Sequence, residues 1–156
     1  MQQVFFWILM VVLLIMLGWI LKKVWQIRSF KKLQLKNKEI TAKALKFAFA
    51  QFNLRNPKKN MKISPDTARL ADVWGSGVMA YEFRVQLNHE ISLKGLRKEL
   101  EAYLQGYAQN HKLTHLGETA FVISDLWQEK GFLHLDITYV VNGTTFNYLH
   151  DIKKVE

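Results

Sequence analysis

Three kinds of hydrophobic patterning follow one another along this chain. Residues 4–21 are apolar without a single charge, and Lys22 and Lys23 follow at once. At 1.5 Å per residue a helix of that length spans about 27 Å, close to the thickness of a bilayer's hydrocarbon core, so the pattern predicts one membrane-spanning helix. Trp7, Trp19 and Trp25 stand near its ends, where indole rings favour the lipid–water interface. Beyond it the apolar residues Val24, Ile27, Phe30 and Leu33 recur every third position among basic ones.

A second pattern covers residues 38–54. On a helical wheel Ile40, Ala42, Ala44, Leu45, Phe47, Ala48, Phe49, Phe52 and Leu54 fill roughly two thirds of the circumference, which predicts a helix covered from more than one side. Asn37 would cap it, and Asn56-Pro57 would end it. A third helix is expected over 93–110, with Ser92 as its cap and Leu93, Leu96, Leu100, Tyr103, Leu104 and Tyr107 on one narrow face.

The third pattern has period two. Met79, Tyr81, Phe83, Val85 and Leu87 alternate with more polar residues, as in a half-buried strand. The last forty residues predict a meander of strands over 120–127, 132–141 and 144–151. Residues 128–131 would form the first connection, and Asn142-Gly143 a two-residue hairpin turn pairing Tyr139 with Phe146, Ile137 with Tyr148 and Leu135 with His150. One face would then hold Leu133, Leu135, Ile137, Tyr139, Phe146 and Tyr148 as core. Residues 61–77 carry no decisive pattern beyond a Gly75-Ser76-Gly77 turn.

The expected architecture is therefore a short flank (1–3), a single N-terminal transmembrane helix (4–21), a stalk (22–37) and an α+β domain (38–156) with a curved, mainly antiparallel sheet. The order of elements is similar to that of cystatin-like or nuclear-transport-factor-2-like cones. That resemblance implies a first helix lying inside a bent sheet, and such folds host too many activities to imply a function.

Charge adds direction. Residues 22–62 hold thirteen Lys or Arg against Glu39 alone, a net of +12, whereas residues 63–156 carry a net of −3. The positive-inside rule then places the C-terminal domain in the cytoplasm. The N-terminal flank lacks the charge, and the segment after Leu21 the small-residue cleavage site, of a removable signal, so the expectation is a retained anchor. Lys22, Lys23, Arg28, Lys31, Lys32 and Lys36 are the candidate contacts to anionic lipid, at about 1 kcal/mol each near the surface. The lack of any cysteine excludes disulfides, thiolate metal sites, lipoprotein attachment and cysteine nucleophiles.

Candidate chemistry is sparse. Phosphate loops, nucleophile elbows and dinucleotide fingerprints are missing, and neither metal nor cofactor is expected. In the meander Asp125, His134 and Asp151 would align across three strands, a row able to orient an imidazole base, although a solvated charge row is the plainer account. His111 and His115 have metal-ligand spacing, but they fall where a helix ends and its dipole favours a histidine. More informative is the face opposite the core, where Phe121, Ile123, Trp127 and Phe132 would stand beside His134 and Asp136. Such a mixed aromatic and polar face has the composition of a protein contact surface, unless residues 61–74 fold over it.

The expected function is that of a non-catalytic accessory protein in a membrane assembly, its cytoplasmic domain recruiting or positioning a protein partner. Two alternatives compete with it: nucleic-acid binding by the basic stalk, and a small-ligand-binding or hydrolytic domain with His134 as base.

Overall fold

The computed structural model describes residues 2–57, 61–63, 69–70, 77–87, 91–113, 119–152 and 154. It divides into two compact units, Met1–Lys36 and Asn37–Glu156. The layout is α+β, a small antiparallel sheet with helices.

Helix α1 runs from Gln2 to Arg55. Two helices were expected here, the second starting at Asn37. No proline or glycine stands between residues 19 and 56, the intervening Lys, Leu, Gln and Ala are good helix formers, and one asparagine costs only a fraction of a kcal/mol. Asn37 is not a cap. It is 4% exposed, and its carbonyl accepts the Thr41 hydroxyl at 2.8 Å, one turn along the same helix.

In the first unit the apolar side chains of α1 lie bare: Phe5 is 69% exposed, Ile15 66% and Trp19 64%. Among the described residues α1 is the one helix long and apolar enough to cross a membrane. In the second unit Thr41, Ala44, Leu45, Ala48, Phe49 and Phe52 are buried. Their spacing of three and four residues marks a single stripe. The helix is thus covered from one side and not, as its wide apolar arc suggests, from several: Leu54 is exposed and Phe47 and Ile40 are half-buried. The Asn53 side chain returns the chain to this helix, its amide donating to the Met61 carbonyl at 2.9 Å while its oxygen accepts the Met61 N–H at 3.0 Å.

Four short steps complete the sheet. Strands β1 (Lys62–Ile63) and β2 (Arg69–Leu70) both pair with β3 (Ala80–Gln86), β3 pairs with β5 (Phe132–Tyr139), and β5 pairs with β4 (Phe121–Glu129), all antiparallel. The order is β1-β3-β5-β4. Helix α2 (Leu93–Asn110) buries Leu96, Leu100, Leu104 and Ala108 and packs against β4. Ser92 holds the N-cap position with extended backbone, but its hydroxyl makes no capping bond. On the inner face, rings from four elements run in sequence: Phe47 meets Tyr107, Tyr107 meets Phe121, and Phe121 stacks on Tyr139 at 4.7 Å.

The third meander strand is absent. Residues 144–151 belong to helix α3 (Gly143–Ile152). A hairpin strand after Asn142-Gly143 would need a free edge of β5, and both edges are taken, by β3 and by β4. Asn142 acts as an N-cap, its side-chain oxygen accepting the Thr145 N–H at 2.8 Å while its amide donates to the Gly77 carbonyl at 3.0 Å. Gly77 has φ +130°, and a Cβ there would stand 3.1 Å from Thr144 Cγ2, so glycine lets α3 begin this close. The two-residue hairpin lies instead at Lys130-Gly131, with φ of 47° and 78°, which pairs Glu129 with Phe132.

Helix and hairpin predict opposite signs for one substitution. Nothing lies within 4 Å of a Cβ built at Gly143. Gly143→Ala is therefore expected to be neutral or to stabilise the fold by up to about 1 kcal/mol in denaturant titrations, since alanine suits a helix better than glycine. A loss of comparable size would instead indicate the positive-φ turn.

Candidate functional site: the outer face of the sheet

The strands carry their core on one side. Tyr81, Phe83 and Val85 of β3 and Leu133, Leu135, Ile137 and Tyr139 of β5 are buried there. The residues between them form an outer face of four rungs, read across β4, β5 and β3. Glu129, Phe132 and Gln86 lie nearest the turn, then Trp127, His134 and Arg84, then Asp125, Asp136 and Glu82, and last Val122, Thr138 and Ala80.

Trp127, Phe132, His134 and Asp136 share this face, as the alternation predicts. Phe121 and Ile123 do not: they are 3% and 2% exposed and belong to the core. A β-bulge between Ile123 and Asp125 is the reason, because one extra residue reverses the facing of everything before it. The expected row of Asp125, His134 and Asp151 also fails to form. Asp125 opposes Asp136, His134 opposes Trp127, and Asp151 sits exposed on α3 with Lys154 Nζ 3.7 Å away.

What surrounds His134 instead was not legible in the sequence. Its ring stacks on Trp127, with centroids 4.8 Å apart and planes 13° from parallel. Its Nδ1 lies 3.1 Å from Glu82 Oε1, so Nδ1–H donates to the carboxylate. On the diagonal, the Arg84 guanidinium carbon lies 3.8 Å over the Phe132 ring, a close cation–π contact. The turn end of the face thus presents two half-buried aromatic rings, Trp127 stacked on His134 and Phe132 beneath the Arg84 guanidinium.

The third rung is electrostatically different. Three carboxylates from three adjacent strands lie side by side, and Asp136 is at the centre. Burial, then the charges of Glu82 and Asp125, push the Asp136 carboxyl up to about 6, with His134 opposing. Asp136 Oδ1 is buried and has no hydrogen-bond partner among the described residues. Toward the fourth rung Ser124, the bulged residue, donates to the Asp136 carbonyl at 3.1 Å and accepts from Thr138 Oγ1 at 3.1 Å. Thr138 and Ala80 are covered, α3 packs on β5, and the Tyr148 phenol is raised first by burial and then by the charges of Asp136 and Asp125.

The remaining candidates are quickly placed. His111 ends α2, stacked on Tyr107 at 4.0 Å with its Nδ1–H donating to the Tyr107 carbonyl. His115 lies outside the described residues, as do His89 and Glu90 and the Gly75-Ser76 turn. Most of the segment expected to cover the outer face, 61–74, also lies outside them; its described strands, β1 and β2, join the edge of β3 within the plane of the sheet. Among the described residues no three His, Cys, Asp or Glu side chains are grouped to hold a metal ion. No family model, curated protein or solved structure matches the chain.

Because Asp136 holds its proton more tightly folded than unfolded, the stability linked to it is complete below its ordinary value of 3.8 and is lost as pH rises to about 6. Asp136→Asn is expected to flatten that fall and to raise stability at pH 7.5 by about 1 kcal/mol, allowing for solvent screening of a half-buried group. Melting curves at several pH values, followed by circular dichroism, measure both effects. An unaltered slope would locate its source elsewhere.

Proposed function

We propose that this chain is a single-pass membrane protein whose cytoplasmic α+β domain docks a protein partner, as an accessory subunit of a membrane assembly. The observation that carries the membrane reading is the bare apolar surface of α1 over its first turns, a surface that costs free energy in water and none in hydrocarbon. The run of bases that follows supports the orientation, and Lys22, Lys23, Arg28, Lys31, Lys32 and Lys36 would lie against the anionic leaflet. Lys23 already sits over the Trp19 ring, 5.1 Å from its centre, a pairing suited to the interface.

For the partner, the outer face supplies the support. Trp127 and Phe132 are half-buried, neither core nor free, and they stand among Arg84, His134, Glu82 and Asp136. Interface cores favour such aromatic residues and arginine over lysine and glutamate. The surface differs from the sequence expectation by the loss of Phe121 and Ile123 to the core and the gain of Arg84 and Glu82.

Two experiments test this. In the cysteine-free chain, a cysteine at Gln3 is expected to react with a membrane-impermeant maleimide in intact cells, and one at the exposed Glu129 only after the membrane is opened. Labelling of both or neither, or release of the protein by carbonate, refutes the topology. Trp127→Ala and Phe132→Ala should each reduce, at least about tenfold, the recovery of crosslinked partner from membranes, a loss of roughly 1.4 kcal/mol or more. Equal recovery from both variants, with unchanged melting, removes this face as the docking surface.

A further inference from the structure

Past the apolar run of α1, one face of the helix is unlike that of a helix built for water alone. Trp25, Ser29, Lys32 and Lys36 follow one another at intervals of four, three and four residues, which puts them within an arc of about 60°. They line a groove of about 560 Å³, with Gln26 and Leu33 beside them. Trp25 is 70% exposed and Leu33 45%. All six residues belong to the first unit, so the groove is a property of this stretch of helix. Alternating intervals of three and four are the spacing at which a second helix packs, its side chains entering the spaces between those of the first.

Charge and height define the occupant. Lys32 and Lys36 lie on the seam itself, and among the described residues neither has an ion pair. The sole acid in residues 22–62, Glu39, is held by Lys43 at 2.8 Å. An apolar helix on this seam would strip water from two lysines without replacing it. A second copy of the chain, inserted in the same orientation, would set Lys32 and Lys36 against their own counterparts. A helix with carboxylates at matching positions meets neither objection. Nothing kinks α1 here, since no proline or glycine stands between residues 19 and 56, so Lys32 and Lys36 rise about 16 and 22 Å past Leu21. The headgroup layer takes up about 5 to 8 Å of that rise, and the leaflet's field fades over a Debye length of about 8 Å more. The leaflet therefore attracts Lys22, Lys23 and Arg28 most strongly, while the groove opens toward the solution beyond the headgroups.

We propose that this groove docks an acidic helix of a membrane partner, which runs beside α1 with carboxylates on Lys32 and Lys36 and an apolar side chain against Trp25. The proposal rests on the membrane reading, and it gives the assembly a second contact, separate from the outer face of the sheet. Its base–acid pairs are partly exposed, so the contact weakens with salt.

The full chain in phospholipid nanodiscs tests this, with a fluorescein-labelled synthetic peptide as the probe. The peptide has three heptads with leucine and glutamate on its seam, and a counterpart carries glutamine for glutamate. By anisotropy on phosphatidylcholine discs, the acidic peptide is expected to bind at least about tenfold more tightly than its counterpart. Lys32→Gln combined with Lys36→Gln should weaken it at least about tenfold, and the charge-matched pair Lys23→Gln and Lys31→Gln, on the far side of the helix, less than about threefold. Equal affinity for the two peptides, or equal loss in the two double variants, overturns the groove. Phosphatidylserine in the discs should change the affinity less than about threefold. Abolished binding there gives the groove to lipid, and disulfide dimers of Ser29→Cys in liposomes, without dimers of Ile27→Cys, give it to a second copy; either overturns the proposal. Maleimide labelling that contradicts the cytoplasmic orientation removes the membrane reading and this proposal with it. Labelling as expected without peptide binding refutes the groove alone.

Discussion

The facing of every side chain on the sheet depends on where one strand changes parity. Lys130 and Gly131 close β4 onto β5 with two positive-φ residues, and the pairing of Glu129 with Phe132 then sets which residues look inward. Continued without interruption, that register would carry Ile123 opposite Thr138 and leave both Ile123 and Phe121 on the outer face. The extra residue between Ile123 and Asp125 reverses them, so that they meet Ile137 and Tyr139 in the core. Fully burying side chains of that size contributes about 1.5 to 3 kcal/mol each, more than the ladder bond a bulge interrupts. The bulge is thus a net gain for the core, and it also places Ser124 where its hydroxyl joins Asp136 to Thr138.

Helix α1 shows one backbone serving two surroundings. Its hydrogen bonds are satisfied along its own axis whatever lies outside, so the same helix continues from bare apolar turns to turns with one buried stripe. What changes along it is the side chains: eighteen uncharged residues, then a basic stretch, then the three-and-four spacing of Thr41, Ala44, Leu45, Ala48, Phe49 and Phe52. The positive charge is a property of this element and of the linker after it, and the sheet with its acidic rung is of the other sign.

Much of this could be read from the sequence wherever a pattern had one physical explanation. The alternation in β3 and the narrow arc of α2 each had one, and both elements stand where the pattern put them; the uncharged run is helical as expected, but its helix continues unbroken to Arg55. Asn142-Gly143 had two. Asparagine followed by glycine serves a type I′ turn, but asparagine is equally good at a helix N-cap, and the choice was made at a distance by β3, which occupies the edge a hairpin strand would need. A bulge leaves no mark on composition at all, so the loss of Phe121 and Ile123 from the candidate surface was not foreseeable. Nor was the partner of His134, since Glu82 lies 52 residues away and meets it only through the β3–β5 pairing.

The misread segment is also what gives the outer face its character. As a third strand, residues 144–151 would have continued the sheet and left its polar face open, and three carboxylates in water repel one another weakly through a high dielectric. As a helix, the same residues pack on β5, and Asp136 is half-buried, so the carboxylates meet in a medium where like charges matter more. The face is therefore graded: aromatic rings and cations near the turn, acids in the middle, and a short helix over the far end. It is the packing of α3 on β5, as much as the acids themselves, that sets this gradient.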